Sequence, residues 1–345
     1  MRFLAILLLF ILSFSCQKER ITLASRSDDV FYLENSAAAM RIEVKGNTQS
    51  KTFILVVHGG PGATAFFYDE NYYKKHLENK LAMVFWDQRN AGASQGNNNG
   101  SNLHLDQIVQ DLKKVIELLK YRYGADIRVY LLGHSWGGLV TSAFLTKDNY
   151  QGMVRGWICA DGSHNYPLND TLTREKLLTV GQEEIALNKN KDSWQDIVDY
   201  CNQNTGAFTF EESMELQNYA ATAETLMDSA RQVSISNYIN NYLIQKQFPL
   251  SSIAVNYLYS INASINREIS TANYSPLMHT ITIPVLLLWG KYDFICPEGL
   301  AEDIYNRIGS VVKKKVISPI SGHDMMLTDK ALFCSEVATF VEQNP

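Results

Sequence analysis

The sequence from Gly133 to Gly137 has the pattern G-x-S-x-G around Ser135. It follows an apolar run at residues 127–132 and precedes a stretch of small and apolar residues. In this pattern a sharp turn between a strand and a helix lifts the serine side chain above the edge of a sheet, and the glycines leave room for the turn. The pattern therefore predicts that Ser135 is a nucleophile.

A serine hydroxyl needs a base to remove its proton, and the base needs a carboxylate partner. Asp293 and His323 follow Ser135 in the chain order Ser, Asp, His that accompanies this pattern. We expect His323 to take the serine proton and return it to the leaving group, while Asp293 fixes the tautomer of His323 and stabilises its imidazolium form. Asp161 and Asp324 are the alternative acids.

The negative charge that develops on a substrate oxygen needs two fixed N–H donors, which form an oxyanion hole. One donor should be the backbone N–H of Trp136, directly after the nucleophile. The other should come from the loop after an early strand, which here reads His-Gly-Gly-Pro-Gly at residues 58–62. We assign it to Gly60, since glycine allows a close backbone approach.

Four apolar runs, at residues 52–57, 81–86, 127–132 and 283–289, each stop at a polar residue or a glycine, as buried parallel strands do. Residues 105–119 place apolar side chains at helical spacing. This alternation predicts an α/β fold with a mostly parallel sheet that helices cover on both faces.

Residues 165–275 contain no comparable strand run and show helical patterns. We therefore predict a helical cap at 165–275, inserted into one α/β domain whose two parts are residues 50–164 and 276–345. The cap holds seven basic and thirteen acidic residues. An acidic cover over the sheet edge would favour a cationic substrate group; the alternative is an ordinary solvated helical surface.

Composition excludes several classes of protein. The chain has 345 residues, of which 46% are hydrophobic, so it is neither disordered nor of low complexity. A net charge of −5 and the lack of a long basic run argue against a nucleic-acid partner. The five cysteines form no CxxC pair and no HExxH occurs, so we expect no metal site and no cofactor. We expect the cysteines after Cys16 to be buried thiols.

The N-terminal residues predict a targeting signal. Residues 1–15 have a positive start and an apolar run of signal-peptide length. The sequence that ends at Cys16 resembles the lipobox of bacterial lipoproteins, which implies lipid attachment at Cys16 and membrane anchoring in the bacterial cell envelope, facing the periplasm or the cell surface. Residues 16–49 would form a tether and the first strands. The alternative is a plain secretory signal and a soluble secreted protein.

Three motifs, in order, resemble those of the α/β-hydrolase superfamily and, within it, the proline iminopeptidase family of serine peptidases. Residues 58–62 match the family's HGGPG, and residues 133–138 match GxSWGG. Residues 87–94 resemble DQRGxGxS, with Asn90 where the family has glycine. The resemblance covers about residues 50–160 and 280–340, which are the core of the predicted fold.

This resemblance implies an α/β-hydrolase fold and the release of an N-terminal residue, often proline, from small peptides. It also implies that cap glutamates bind the free α-amine of the substrate. Four glutamates on one helical pattern are candidates, and nothing in the sequence selects among them: Glu211, Glu212, Glu215 and Glu224.

Three functions therefore stay open at this point. The first is an aminopeptidase that acts through an acyl-enzyme, and the second is a carboxylesterase or amidase with the same catalytic residues. The third is a non-catalytic surface lipoprotein. Related hydrolases that open epoxides or displace halide use Asp at the nucleophile position, so Ser135 argues against those activities.

Overall fold

The structure is a computed structural model that describes residues 29–69, 71–96, 102–227, 254–256, 258 and 265–345. The predicted signal peptide and Cys16 lie outside the described residues, as does the part of the predicted cap at 228–253, 257 and 259–264.

Nine strands of the described chain form one sheet. They are β1 (Asp29–Asn35), β2 (Ala38–Gly46), β3 (Thr52–Val57), β4 (Ala82–Trp86), β5 (Gln95–Gly96), β6 (Arg128–His134), β7 (Gly156–Ala160), β8 (Val285–Gly290) and β9 (Lys313–Ser318). Eight follow the order β1-β2-β4-β3-β6-β7-β8-β9, and the short β5 pairs with β2. Strand β2 is antiparallel to β1 and β4, whereas the six strands β4, β3, β6, β7, β8 and β9 are parallel to one another. The predicted mostly parallel sheet is confirmed.

Seven longer helices lie in the described residues: α1 (Leu105–Tyr123), α2 (Trp136–Leu145), α3 (Tyr166–Ala186), α4 (Lys191–Gln203), α5 (Phe210–Leu226), α6 (Gly299–Arg307) and α7 (Lys330–Gln343). Shorter helical segments are Thr48–Ser50, Ala65–Tyr68, Asn71–Tyr73, Lys74–Glu78, Tyr150–Met153, Ile265–Ile269, Ser275–Thr280 and Met325–Thr328. None of the helices in the described residues is long and apolar enough to cross a membrane.

The inner strands β3, β4 and β8 are buried at every position. Side chains alternate between the two faces of a sheet along each strand, so both faces of these strands lie in an apolar core. Along β3, Phe53, Leu55 and Val57 face the core that α1, α2 and α6 cover. Ile54 and Val56 face the opposite core, under α7. A strand buried on both faces must be apolar at every position, which explains the unbroken apolar runs in the sequence.

Helix α1 shows how local sequence defines an element. It begins after His104, whose Nδ1 accepts a hydrogen bond from the N–H of Gln107, and it ends at Gly124, which has a φ of +112°. Its buried face includes Ile108, Leu112 and other apolar residues at the predicted helical spacing. Because an N-cap and a C-terminal glycine satisfy the ends of a helix, both boundaries follow from nearby residues.

Helices α3, α4 and α5 lie between β7 and β8 and pack around the buried side chain of Trp194. We call them the cap helices. Phe294, in the loop after β8, is part of the same apolar cluster and lies beside Trp194, with ring centroids 6.0 Å apart. The cap helices therefore rest on the carboxyl end of the sheet, next to Asp293.

The two chain segments that join the cap helices to the sheet run side by side. The N–H of Tyr166 donates to the carbonyl of Ala272, and the N–H of Tyr274 donates to the carbonyl of His164. The buried ring of His164 then contacts Asp303 of α6, with 2.8 Å between Nε2 and Oδ2. The cap connections are thus fixed to each other and to the core.

The four cysteines of the described residues, Cys159, Cys201, Cys296 and Cys334, are unpaired and buried, as predicted.

The chain also buries an ion pair beneath the loop after β4. Arg89 donates from Nε and Nη2 to both carboxylate oxygens of Asp111, at 2.5 and 2.8 Å, and the two side chains are 1% and 0% exposed. Removing one partner of such a pair leaves the other charge without compensation.

We predict that Asp111→Ala lowers the free energy of unfolding by about 3–5 kcal/mol, since it leaves the Arg89 guanidinium buried and unpaired. Urea unfolding followed by circular dichroism measures this. Glu117→Ala, which removes an exposed pair with Lys114 on the same helix, is the control and should cost at most about 1 kcal/mol. Equal losses in the two variants would contradict the prediction.

Candidate active site

Ser135 lies in the turn between β6 and α2, with a φ of +54° and a ψ of −122°. This left-handed conformation is costly for a residue with a side chain, so the surrounding structure must hold it. The turn is tight: a Cβ on Gly137 would overlap the carbonyl oxygen of Val57 in β3, and a Cβ on Gly133 would come within 2.5 Å of Thr141 Oγ1. The two glycines of the G-x-S-x-G pattern are therefore required by the backbone packing.

The predicted acid and base are in contact. His323 Nδ1 lies 3.0 Å from Oδ2 of Asp293. The other oxygen of Asp293, Oδ1, accepts the N–H groups of Ile295 and Cys296, at 2.9 and 2.7 Å. Asp293 is fully buried, so these bonds fix the orientation in which it meets His323.

The two alternative acids occupy other positions. Asp161 is fully buried, and its two oxygens accept the N–H groups of Gly290 and Met325, at 2.8 and 3.1 Å. Asp324 Oδ1 lies 3.8 Å from the Nε2 atom of His134. The structure thus places Asp293 against His323 Nδ1. Asp161 instead connects the end of β8 to the segment after β9.

Charge around His323 favours its imidazolium form. Burial by itself lowers the pKa of His323, but the charge and hydrogen bond of Asp293, with smaller effects from Asp324 and Asp161, raise it above its usual value of 6.5. Burial and the nearby charge of Asp293 raise the pKa of Asp161 well above its usual value. The carboxylates therefore make His323 a stronger base than a free imidazole.

A cavity of about 270 Å³ opens over the nucleophile. Ser135 and His323 both line it, and so does Asp324. The rest of the lining is Gly59, Gly60, Ala63, Phe67, Tyr68, His134 and Leu327. Among the described residues, no group of three or more His, Cys, Asp or Glu side chains is arranged to hold a metal ion.

The glycine-rich loop at residues 58–62 packs directly on the nucleophile. A Cβ on Gly59 would lie 3.1 Å from the Cβ of Ser135. The N–H of Gly59 donates to the hydroxyl of Tyr68 at 3.0 Å, so that donor is already used, whereas Gly60 lines the cavity. Trp136 is the first residue of α2, and the N–H groups of a first helical turn have no partner within the helix.

The segment at residues 87–94 holds this loop in place. The carboxylate of Asp87, fully buried, accepts the Thr64 hydroxyl at 2.7 Å and the N–H groups of Ala65 and Ala93 at 2.8 Å each. Gln88 donates from Nε2 to the carbonyl of His58 at 2.9 Å. Asp87 and Gln88 thus hold the glycine-rich loop in place. The motif at residues 87–94 contains both residues, but the sequence alone did not show this role.

Asn90 and His58 are two further residues of this region whose types suit the positions that they occupy. Asn90, where the related family has glycine, has a φ of +53°, a conformation that asparagine adopts more readily than most residues. His58 is fully buried, and its Nε2 accepts the N–H of Gln88. Burial lowers the pKa of His58 to about 4, so it stays neutral and supports the loop.

The structure separates the four cap glutamates. Glu211 pairs with Arg267 at 2.5 Å, Glu212 caps the start of α5 through Thr209, and Glu215 accepts a bond from its helix neighbour Asn218. All three therefore have surface roles in this structure.

Glu224 is different, because its side chain reaches the loops that carry Asp293 and His323. Its Oε1 accepts the N–H of Phe294 at 2.9 Å, and its Oε2 occupies the place that a Cβ on Gly322 would take. Burial and the charge of Asp293 raise its pKa to about 8. Glu224 is not part of the cavity lining with Ser135; it connects α5 to the loops on either side of the Asp293 and His323 pair.

Comparison with known proteins identifies the family to which the chain belongs. The model of the alpha/beta hydrolase fold family matches residues 52–330. Curated relatives include a proline iminopeptidase from Saccharolobus solfataricus, 24% identical over 87% of each chain, and Epoxide hydrolase 1 from Caenorhabditis elegans, 23% identical over 79% of this chain and 61% of that protein. The crystal structure of a proline iminopeptidase from Mycobacterium smegmatis superposes with a TM-score of 0.66 at 15% identity, covering 92% of this chain and 98% of that one. The chain is therefore a hydrolase of the alpha/beta-hydrolase family and is similar to the proline iminopeptidases within it.

Proposed function

We propose that this protein is a serine aminopeptidase that releases a small N-terminal residue, such as proline, from short peptides. One observation carries the proposal: a nucleophile, a base and a solvated carboxylate share one small cavity, since Ser135, His323 and Asp324 all line it. The first two groups perform acyl transfer, and the third supplies the negative charge that an α-amine requires.

In the first half-reaction Ser135 Oγ attacks the carbonyl carbon of the N-terminal residue as His323 removes the hydroxyl proton. Asp293, bonded to Nδ1 of the base, stabilises the imidazolium that forms. His323 then gives its proton to the departing amine, and an acyl-enzyme remains. A water molecule that His323 deprotonates hydrolyses this ester and restores Ser135.

Two backbone N–H groups, those of Gly60 and Trp136, stabilise the oxyanion in both half-reactions. The position of Gly60 on the cavity wall supports this assignment, as does the use of the Gly59 N–H by Tyr68. Trp136 contributes the first N–H of α2, where the helix dipole adds to the attraction for a negative charge.

The cavity wall supports a small, partly apolar substrate residue with a cationic end. Phe67, Ala63 and Leu327 supply apolar contacts, and Asp324, whose side chain is 43% exposed, supplies a solvated carboxylate. The related family would place this charge on cap glutamates. Because Glu224 is bonded to Phe294 and lies outside the cavity lining, Asp324 is the better candidate among the described residues.

The second candidate is a carboxylesterase with the same catalytic residues. The mostly apolar lining of the cavity favours it, since an acyl group without an amine would fit the contacts with Phe67 and Leu327 equally well. The two functions differ in the bond that is cleaved, amide or ester, and in whether the substrate needs a positive charge.

We predict that residues 17–345 hydrolyse prolyl-arylamide with a free amine, and that acetylating the amine lowers kcat/KM at least about 100-fold, because the ion pair with the enzyme is lost. Ser135→Ala should abolish turnover of the free-amine substrate. Steady-state kinetics on both compounds measure this. Turnover of aryl esters but of neither prolyl compound, lost in Ser135→Ala, would favour the esterase instead, and a wild-type protein inert on all three would favour a non-catalytic role.

We predict that Asp324→Asn lowers kcat/KM for the free-amine substrate about 10- to 100-fold, the effect of a charged hydrogen bond, while the reaction with a neutral aryl ester changes less than about twofold. Both reactions are measured above the titration midpoint of His323, because Asp324 also contributes to the raised pKa of that base. Glu215→Gln, which neutralises an exposed cap carboxylate, is the matched control and should leave both reactions unchanged. A larger loss in the control than in Asp324→Asn would instead place amine recognition in the cap.

We predict that kcat/KM rises with pH as His323 loses its proton, with a midpoint above 6.5, because the base must be neutral to accept the serine proton and its pKa is raised. Asp293→Asn removes the charge that raises this pKa, so the midpoint should fall, and kcat should drop about 10³- to 10⁴-fold. A pH profile of each protein gives both quantities. An unchanged midpoint in Asp293→Asn would contradict the assignment of the acid.

A further inference from the structure

A chain of hydrogen bonds runs along one wall of the cavity, from the glycine-rich loop to the backbone of His323. The N–H of Gly59 donates to Tyr68 Oη at 3.0 Å, and Tyr68 Oη lies 2.6 Å from Nδ1 of His134. Nε2 of His134 then lies 3.0 Å from the carbonyl oxygen of His323. None of these bonds involves an atom that the catalytic steps use.

The partners determine where the protons lie. A carbonyl oxygen only accepts, so Nε2 of His134 must carry a hydrogen and donate it to His323. In a neutral imidazole Nδ1 is then an acceptor, and it receives the hydroxyl proton of Tyr68. Tyr68 Oη in turn accepts the N–H of Gly59. Burial lowers the pKa of His134 to about 4, which keeps the ring in the neutral form that this arrangement needs.

Both middle members of the chain are held rigidly. Tyr68 is 4% and His134 is 4% exposed. Tyr68 ends the helical turn Ala65–Tyr68, whose N-cap Thr64 and first residue Ala65 both donate to the buried carboxylate of Asp87. His134 is the last residue of β6, so it directly precedes the nucleophile.

The two ends of this chain of hydrogen bonds, at Gly59 and His323, are the parts of the site that must move least. Gly59 packs against Ser135 and adjoins Gly60, the proposed oxyanion donor. His323 carries the base. A displacement of about 1 Å between such groups can lower a rate about 100-fold.

We propose that Tyr68 and His134 are positioning residues that couple the oxyanion loop to the backbone of His323. They keep the donor at Gly60 and the base at His323 in a fixed relation across the nucleophile. This inference rests on the proposed roles of Ser135 and His323, and it holds for an aminopeptidase and for an esterase alike.

The test uses Tyr68→Phe, which removes one hydroxyl, and labelling by a fluorophosphonate probe, which requires neither a peptide nor an ester preference. In labelling, Ser135 Oγ bonds to phosphorus, fluoride leaves, and the serine proton passes to His323. We expect the maximal labelling rate to fall about 10- to 100-fold while the probe concentration for half-maximal rate stays within about twofold, because chemistry and not binding is affected. Tyr200→Phe, which removes a hydroxyl bonded to a backbone carbonyl in the cap helices, should label at the wild-type rate.

A second variant keeps the proposal testable if Tyr68→Phe does not fold. His134→Asn retains an acceptor near Tyr68 but loses the donor to His323, and it should slow labelling similarly. If the chain acts as a unit, the double variant should label no more than about twofold slower than the slower single variant. Multiplied losses in the double variant, or an unchanged maximal rate in Tyr68→Phe, would overturn the proposal. Failure of wild-type Ser135 to be labelled would overturn the proposed function and this coupling with it.

Discussion

The active site depends on the close approach of backbone at the turn around Ser135. The left-handed conformation of this residue costs of order 1–3 kcal/mol, and it persists only because neighbouring groups specify it. The carbonyl of Ser135 accepts the N–H groups of Gly138 and Ser163, at 2.8 and 3.1 Å, and its own N–H donates to the carbonyl of Asp161 at 3.2 Å. The backbone of Ser135 is thus fixed by the first turn of α2 and by the loop after β7.

Three buried carboxylates then organise the loops at the carboxyl end of the sheet. Asp87 follows β4, Asp161 follows β7 and Asp293 lies in the loop after β8, and each accepts two backbone N–H groups. A carboxylate can satisfy several donors at once, so one buried side chain can hold two segments of a loop or two different loops. The two that are nearest to His323 also favour its protonated form. Asp161 and Asp293 therefore both fix the loops around His323 and raise its pKa.

Sequence patterns predicted the sheet and the sharp turn at Ser135 because these depend on local rules. The four apolar runs lie within two residues of β3, β4, β6 and β8, and the turn at Ser135 needs glycines that are visible in the chain. A hydrophobic strand that ends at a polar residue is readable without knowledge of its neighbours.

The rest of the site depends on contacts between distant segments, so no local pattern could show it. Tyr68 meets His134 across 66 positions, and Asp161 meets Met325 across 164. The four cap glutamates share one helix, and only the packing of α5 on the core decides that Glu224 is turned inward. Likewise, Asp324 could be named as a carboxylate beside the base, but its place on the cavity wall required the folded loop after β9.

The two chain segments that join the cap helices to the sheet affect how the fold can change in evolution. Because His164 and Tyr274 lie side by side, the chain leaves the sheet and returns to it at nearly one point. A segment joined in this way can lengthen, shorten or be replaced without a change in strand register, since the closure entropy of a loop grows only slowly with its length. Ser135 and the other residues that line its cavity are therefore on a part of the chain separable from α3, α4 and α5, and a lineage can keep them while the cap helices diverge.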